Sequence, residues 1–202
     1  IELENLSAAP VPLFAPANPA FTWHLRGGVE LEFPPGLTLP AGGRVLLVGF
    51  APESDRAALD AFLVRHSPKD NLTLIGPWRG QLGNSSDSLR LKRPLSSTTA
   101  TTTNATYTDV DALTYSAAPP WPFGTAGTGR ALLRLNSSTV AADPATWAGA
   151  WPTPGWEDSD RDGLPDEWET AHALDPANPA DTDGPDGDPD GDGFTNRMEF
   201  LN

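Results

Sequence analysis

Along the first three quarters of the chain, apolar and polar positions alternate in short bursts separated by Gly, Pro and Asn. Val29-Glu30-Leu31-Glu32-Phe33 and Leu89-Arg90-Leu91-Lys92 place apolar residues on one face and charge on the other, the period of a half-buried strand. Val45 to Phe50 is apolar throughout and reads as a central strand covered on both faces. Pro34-Pro35-Gly36 and Ala41-Gly42-Gly43 are turns between these strands. One helix is expected, Arg56 to His66 after Ser54, with Leu59, Phe62 and Leu63 facing inward. Leu95 to Thr108 is rich in Ser and Thr with little to bury, so a loop or a solvated edge strand is expected there. Val110 to Tyr115 and Ala131 to Leu135 are further strand candidates. Residues 1–154 therefore read as an all-β sandwich, and 155–202 as a separate small module.

Charge divides the chain at the same place. Of the net −14, residues 157–202 carry −13, from 15 acids and 2 arginines. An acidic segment of this density repels phosphate backbones, so nucleic acid is excluded as its partner, and it calls for counter-cations. There is no cysteine, which leaves the apolar core and bound ions to hold the fold. No run reaches the roughly 18 apolar residues of a membrane span, and Ile1 to Ser7 has neither a basic start nor an apolar stretch behind it. A soluble, already processed chain with no membrane insertion is expected.

Ordered motifs run through the first 154 residues. They are Ile1-Glu2-Leu3-Glu4-Asn5, Gly27-Gly28-Val29 through Phe33-Pro34-Pro35-Gly36, Leu39-Pro40-Ala41-Gly42-Gly43 and Gly76-Pro77-Trp78. They continue with Leu82-Gly83-Asn84, Leu89-Arg90-Leu91, Pro120-Trp121-Pro122, Gly127-Thr128-Gly129, Asp143-Pro144-Ala145-Thr146-Trp147 and Pro152-Thr153-Pro154-Gly155. In this order they resemble the lamin tail domain family as it occurs in bacterial extracellular proteins. The resemblance implies an immunoglobulin-like β-sandwich and brings no catalytic residues. Two departures stand out: the proline-rich Ala9 to Phe21, and the lack of the family's usual apolar strand before Ile1. The latter leaves a sheet edge for a strand from another copy to fill.

The acidic segment carries the chemistry. Asp158, Asp160, Asp162, Asp166 and Glu169 stand at positions 1, 3, 5, 9 and 12 of an EF-hand loop, with Gly163 at 6 and the Leu164 carbonyl at 7. A second copy offers Asp188, Asp190, Asp192, Asn196 and Glu199, with Gly193 at 6 and the Phe194 carbonyl at 7. Calcium is a hard cation taking about 6–8 oxygens, and a bidentate Glu at position 12 closes its shell. At position 7 the side chains of Leu164 and Phe194 are free to turn to the core. Pro152-Thr153-Pro154-Gly155 excludes an incoming helix, so each unit is a loop and an exiting helix, which resembles dockerin modules and thrombospondin type 3 repeats. Pro165, at position 8 of the first loop, has no N–H for a bridge between loops. Asp175, Asp181, Asp183 and Asp186 either complete a shell or hold a third Ca2+, although their spacing fits no full loop. Without the ion the module is expected to unfold, because its carboxylates repel and its helices are short.

Five of nine asparagines lie in Asn-x-Ser/Thr and are candidate glycosylation sites: Asn5, Asn71, Asn84, Asn104 and Asn136. His24, His66 and His172 stand in unrelated contexts, with no nucleophile or metal-hydrolase spacing around them. Trp78, Trp121 and Trp147 fall within the ordered motifs and are expected in the core or at a sandwich end. The combined expectation is a non-catalytic, extracellular or cell-surface structural protein binding two Ca2+, whose partners are other copies or neighbouring domains. A glycan-binding accessory module of a larger secreted enzyme is the alternative.

Overall fold

The structure, a computed structural model, describes residues 1–95, 99–101, 103–122, 124–135 and 141–202. Strands dominate it, spread over several sheets, and helices are few, so the chain is all-β. In order they are β1 (Glu2–Glu4), β2 (Val11–Pro12), β3 (Phe14–Ala15), β4 (Asn18–Thr22), β5 (His24–Gly27), β6 (Val29–Glu32), β7 (Thr38–Leu39) and β8 (Arg44–Leu47). Helix α1 (Arg56–His66) follows, then β9 (Thr73–Ile75), β10 (Arg79–Gly80), β11 (Ser86–Pro94), β12 (Tyr107–Ser116), β13 (Ala131–Arg134) and β14 (Trp147–Ala150). The acidic module adds only α2 (Asp166–Ala171) and α3 (Asn196–Phe200).

A five-stranded sheet runs β10-β6-β5-β11-β12, and a three-stranded sheet runs β1-β8-β9. The alternation at Val29–Glu32 is realised, Val29 and Leu31 being buried and Glu30 and Glu32 exposed. Val45, Leu46, Leu47 and Val48 are all buried, and β8 lies between antiparallel β1 and parallel β9, as a continuously apolar strand should. One cluster joins Leu25, Val29, Leu31 and Phe33 with Leu13, Leu39, Val45 and Leu47. At the β5–β6 turn, Gly27 has φ +130°, and a Cβ there would come within 1.9 Å of the Ser88 carbonyl oxygen. Only glycine fits this approach.

Several elements differ from the sequence expectation. The proline-rich Ala9–Phe21 segment forms short strands, with β2 pairing β7 and β3 pairing β4. The β11–β12 hairpin is longer than its alternating segments suggest, with β12 starting at Tyr107 and a register shift at Leu91/Lys92. Among the described residues β13 and β14 pair only with each other, in a sheet separate from both main sheets; Arg134 links them to β12 through Asp111 at 2.5 Å. Leu63 is exposed, contrary to its expected inward position. Apolar residues encircle this alanine-rich helix, leaving no single stripe to bury, and on the Phe62 side Phe50 lies with ring centroids 5.8 Å apart. Its N-cap is Asp55, whose carboxylate accepts from the Ala58 N–H at 3.0 Å. Among the described residues no helix is long and apolar enough to cross a membrane.

Candidate metal centre

The acidic module is seated on the β-rich part by a set of directed contacts. Arg44, on β8, donates from Nη1 to the Trp156 carbonyl at 2.6 Å and from Nη2 to Glu157 at 2.5 Å, while also facing Glu2 and Glu4 on β1. Trp156 Nε1 donates to the Ser67 carbonyl at 2.8 Å just past α1. Lys69 pairs with Glu167 at 3.1 Å and lies 4.9 Å over the Trp156 ring. The Gly155 N–H donates to Glu2 Oε2 at 2.9 Å. The first loop thus begins from a fixed point.

Within that loop each aspartate divides its two oxygens between backbone and interior. Asp158 Oδ2 accepts from the Gly163 N–H at 3.2 Å, Asp160 Oδ1 from Asp162 N–H at 3.2 Å, and Asp162 Oδ1 from Leu164 N–H at 2.8 Å. The remaining oxygens, Asp158 Oδ1, Asp160 Oδ2 and Asp162 Oδ2, are buried and have no hydrogen-bond partner. Helix α2 brings Glu169 to the same place, its side chain 0% exposed and both Oε atoms without a donor. The three aspartates offer ligand oxygens within 4.8 Å of one another. Leu164 turns fully into the core, as its position allows.

Five orphaned carboxylate oxygens are costly to bury, since an unpaired buried charge has lost its water without a replacement. Protonation answers part of that cost. Burial first, and then the surrounding aspartates, push the Glu169 carboxyl up to about 8. Asp158 and Asp162 are pushed up to about 6, again mainly by burial, and Asp160 is raised from the same causes. An all-oxygen, anionic, donor-free set of this kind fits a hard divalent cation. Asp166, at position 9, has both oxygens occupied by Ser159, from its N–H at 2.7 Å and its hydroxyl at 2.6 Å. With a cation in the loop, Asp166 would therefore act through a water, as is common at this position.

The second loop repeats the local design without the burial. Asp188 Oδ2 accepts from Gly193 N–H at 3.0 Å, Asp190 Oδ1 from Asp192 N–H at 3.2 Å, and Asp192 Oδ1 from Phe194 N–H at 2.8 Å. Asp188, Asp190 and Asp192 also converge within 4.8 Å, but Asp190, Asp192 and Glu199 are exposed. Phe194 is 53% exposed and does not turn into a core, because among the described residues nothing packs over this loop as Trp151 packs against Gly163 in the first. Asn196 is buried, its Nδ2 lying 2.8–3.3 Å from the carbonyls of Thr182, Asp183 and Gly184, so it ties down the segment between the loops. The amide at position 9, in place of a carboxylate, was the one sequence signal for this anchoring role.

The four aspartates between the loops do not converge. Asp175 accepts from Ala177 N–H at 3.1 Å, Asp183 from Asn178 Nδ2 at 2.7 Å, and Asp181 stands at φ +57°. Among the described residues only the two loop triads form clusters able to hold a metal, and no third site assembles from Asp175, Asp181, Asp183 and Asp186.

Of the sequons, Asn71, Asn84 and Asn104 are exposed. Asn5 is buried, its Nδ2 donating to the carbonyls of Ala9, Leu39 and Pro40 at 2.8–3.0 Å, so this nitrogen has no room for a glycan in the fold. Asn136 lies outside the described residues. His24, His66 and His172 each stack on or beside one aromatic ring, Tyr107, Phe62 and Trp168 respectively. Sequence reasoning missed Arg44, Lys69 and Trp156, whose role exists only through contacts across more than 80 residues of chain. Compared with family models, curated proteins and solved structures, the chain matches none of them.

Proposed function

We propose that this chain is a non-catalytic, extracellular structural or interaction protein in which calcium, bound by Asp158, Asp160, Asp162, the Leu164 carbonyl and Glu169, stiffens the joint between a β-sandwich and its acidic module. The observation that carries the reading is the set of five buried carboxylate oxygens without donors around Glu169. A second ion belongs to Asp188, Asp190, Asp192 and Glu199, in the more open loop. On this reading the two main sheets, which share one core, form the immunoglobulin-like sandwich of the lamin tail type. Loops of this class in extracellular modules bind at about 10⁻⁴–10⁻³ M, which suits an exterior where calcium is plentiful. The edge strand β1, with a partner on one side only among the described residues, is where a strand from another copy would add to build an assembly.

Calorimetry on the intact chain and on the Asp160→Ala, Asp190→Ala double variant, with circular dichroism alongside, tests the metal reading. Two ions taken up with a gain of helix, both lost in the variant, are expected. Uptake of none by the intact chain overturns it. Light scattering with and without calcium tests assembly, and a monomer at all concentrations would remove the strand-addition role while leaving the calcium joint.

A further inference from the structure

Arg197 stands in the second loop, at position 10 and two residues before Glu199, yet its side chain leaves that loop. Its guanidinium donates from Nη1 to the Gly163 carbonyl of the first loop at 3.4 Å, and its Cζ lies 4.1 Å from the Trp151 ring centroid. Trp151 follows β14 and packs against Gly163 in turn, where a Cβ would come within 2.5 Å of the Trp151 Cβ and 2.8 Å of Arg197 Nη1. Arg130 covers Trp151 as well, at 5.0 Å. The backbone of Arg197 is held by the Pro185 carbonyl at 3.1 Å. One half-buried cation therefore touches the β-rich part and the first loop while riding on the helix of the second.

Paired loops of this kind usually communicate through backbone amides at position 8. Here Pro165 removes that donor, and no strand pairing joins the two loops among the described residues. We propose that the two calcium loops are coupled through Arg197, which acts as a positioning residue for the first site. An ion in the second loop engages Glu199 and fixes the first turn of α3. That turn holds the guanidinium on the Gly163 carbonyl and the Trp151 face. Gly163 immediately precedes Leu164, whose carbonyl is a ligand of the first ion, so the seat of Arg197 sets the shape of the first loop where it closes. Linkage makes the effect reciprocal: the first ion favours the second to the same degree.

This inference rests on the calcium reading above, and its test separates the two. Amide hydrogen exchange across residues 158–174, followed against calcium concentration, reports the midpoint of the first site alone. Glu199→Gln, which opens the second site, is expected to raise that midpoint about fivefold or more in the otherwise unchanged chain. In an Arg197→Met background, which keeps an aliphatic stem over Trp151, the same substitution is expected to shift it by less than about twofold. Arg197→Lys, retaining the charge but not the planar fork, should fall between. An equal shift in both backgrounds, or none in either, overturns the coupling while the calcium sites stand. Protection indifferent to calcium in the intact chain overturns the calcium reading itself.

Discussion

Replacing Glu169 by Gln should act in opposite directions with and without calcium. The side chain is wholly buried with no donor, and its carboxyl is pushed up from 4.5 to about 8. At pH 7 the folded chain keeps it protonated, whereas the unfolded chain ionises it. The distance from 4.5 to pH 7, at about 1.4 kcal/mol per pH unit, sets a cost of about 3 kcal/mol on the calcium-free module. Gln keeps the shape and, like the protonated acid, is a neutral group without a partner, so little else changes and most of that cost is relieved.

The pH dependence follows with a definite sign. A carboxyl whose folded value lies above its unfolded value leaves the folded state with the extra proton between 4.5 and about 8. The contribution of Glu169 to the stability of the calcium-free module is therefore fully present below 4.5, declines as pH rises through that window and is lost above about 8. Asp158 and Asp162 add to the decline in the same direction between 3.8 and about 6. Calcium reverses the ranking once it is in large excess: at about 1,000 times its dissociation constant it adds about 4.1 kcal/mol to the native chain, more than the roughly 3 kcal/mol at stake without it, and Gln, which cannot close the shell bidentately, forfeits that gain. Amide exchange across residues 158–174 in chelator at pH 5, 7 and 8, corrected for intrinsic rates, reads these free energies directly. A Glu169→Gln variant no better protected than the native chain in chelator at pH 7, or native protection that does not fall from pH 5 to 8, would refute the reasoning.

The two position-6 glycines should separate the loops, since both have strongly positive φ but only Gly163 is enclosed. Gly163→Ala is expected to lower stability by about 1–3 kcal/mol more than Gly193→Ala, read from thermal unfolding in calcium. Arg44→Ala takes the donor from the half-buried Trp156 carbonyl, while exposed Glu157 is left to water, and should loosen the start of the module by about 1–2 kcal/mol, seen as faster limited proteolysis near residues 155–160. Asn5→Ala breaks the buried amide bonds to Ala9, Leu39 and Pro40 and should cost about 2–4 kcal/mol in a urea titration. In a glycosylating host, mass spectrometry is expected to find glycans among Asn71, Asn84 and Asn104 and none at Asn5.

What the sequence revealed was whatever depends on neighbours a few residues apart. The alternation at Val29–Phe33 and the apolar run at Val45 report burial through the period of a strand, and the structure buries the expected side chains. The loop pattern was legible for the same reason: Asp158, Asp160 and Asp162 find their backbone donors within five residues. What failed to show was whatever depends on distant contacts. Nothing local distinguishes Gly163 from Gly193, yet only Gly163 is packed against Trp151. Leu63 and Phe194 look equally fit for a core and both lie exposed, because no second layer reaches them among the described residues. The separate β13–β14 ribbon and the buried role of Asn5 are likewise set by the fold and by no short pattern.

On the proposed calcium reading, the difference in burial between two loops of nearly equal local design decides where the ion would matter most. Carboxylates in water repel weakly, because the solvent screens them; the same groups enclosed by protein repel strongly and lose hydration as well. In the exposed second loop, removing the ion exposes little stored cost, so binding there chiefly orders a loop and a five-residue helix. In the first loop, Asp162 and Glu169 are enclosed, so an ion there would relieve the cost of that enclosure as well as order the loop. The enclosure is made by Leu164 and the Gly163–Trp151 contact on one side, with Arg44, Lys69 and Trp156 fixing the approach of the chain. On the proposed calcium reading, an ion in the first loop would stabilise the attachment of the acidic module to the β-rich part, and a fall in calcium is expected to loosen that attachment before it disturbs the sheets.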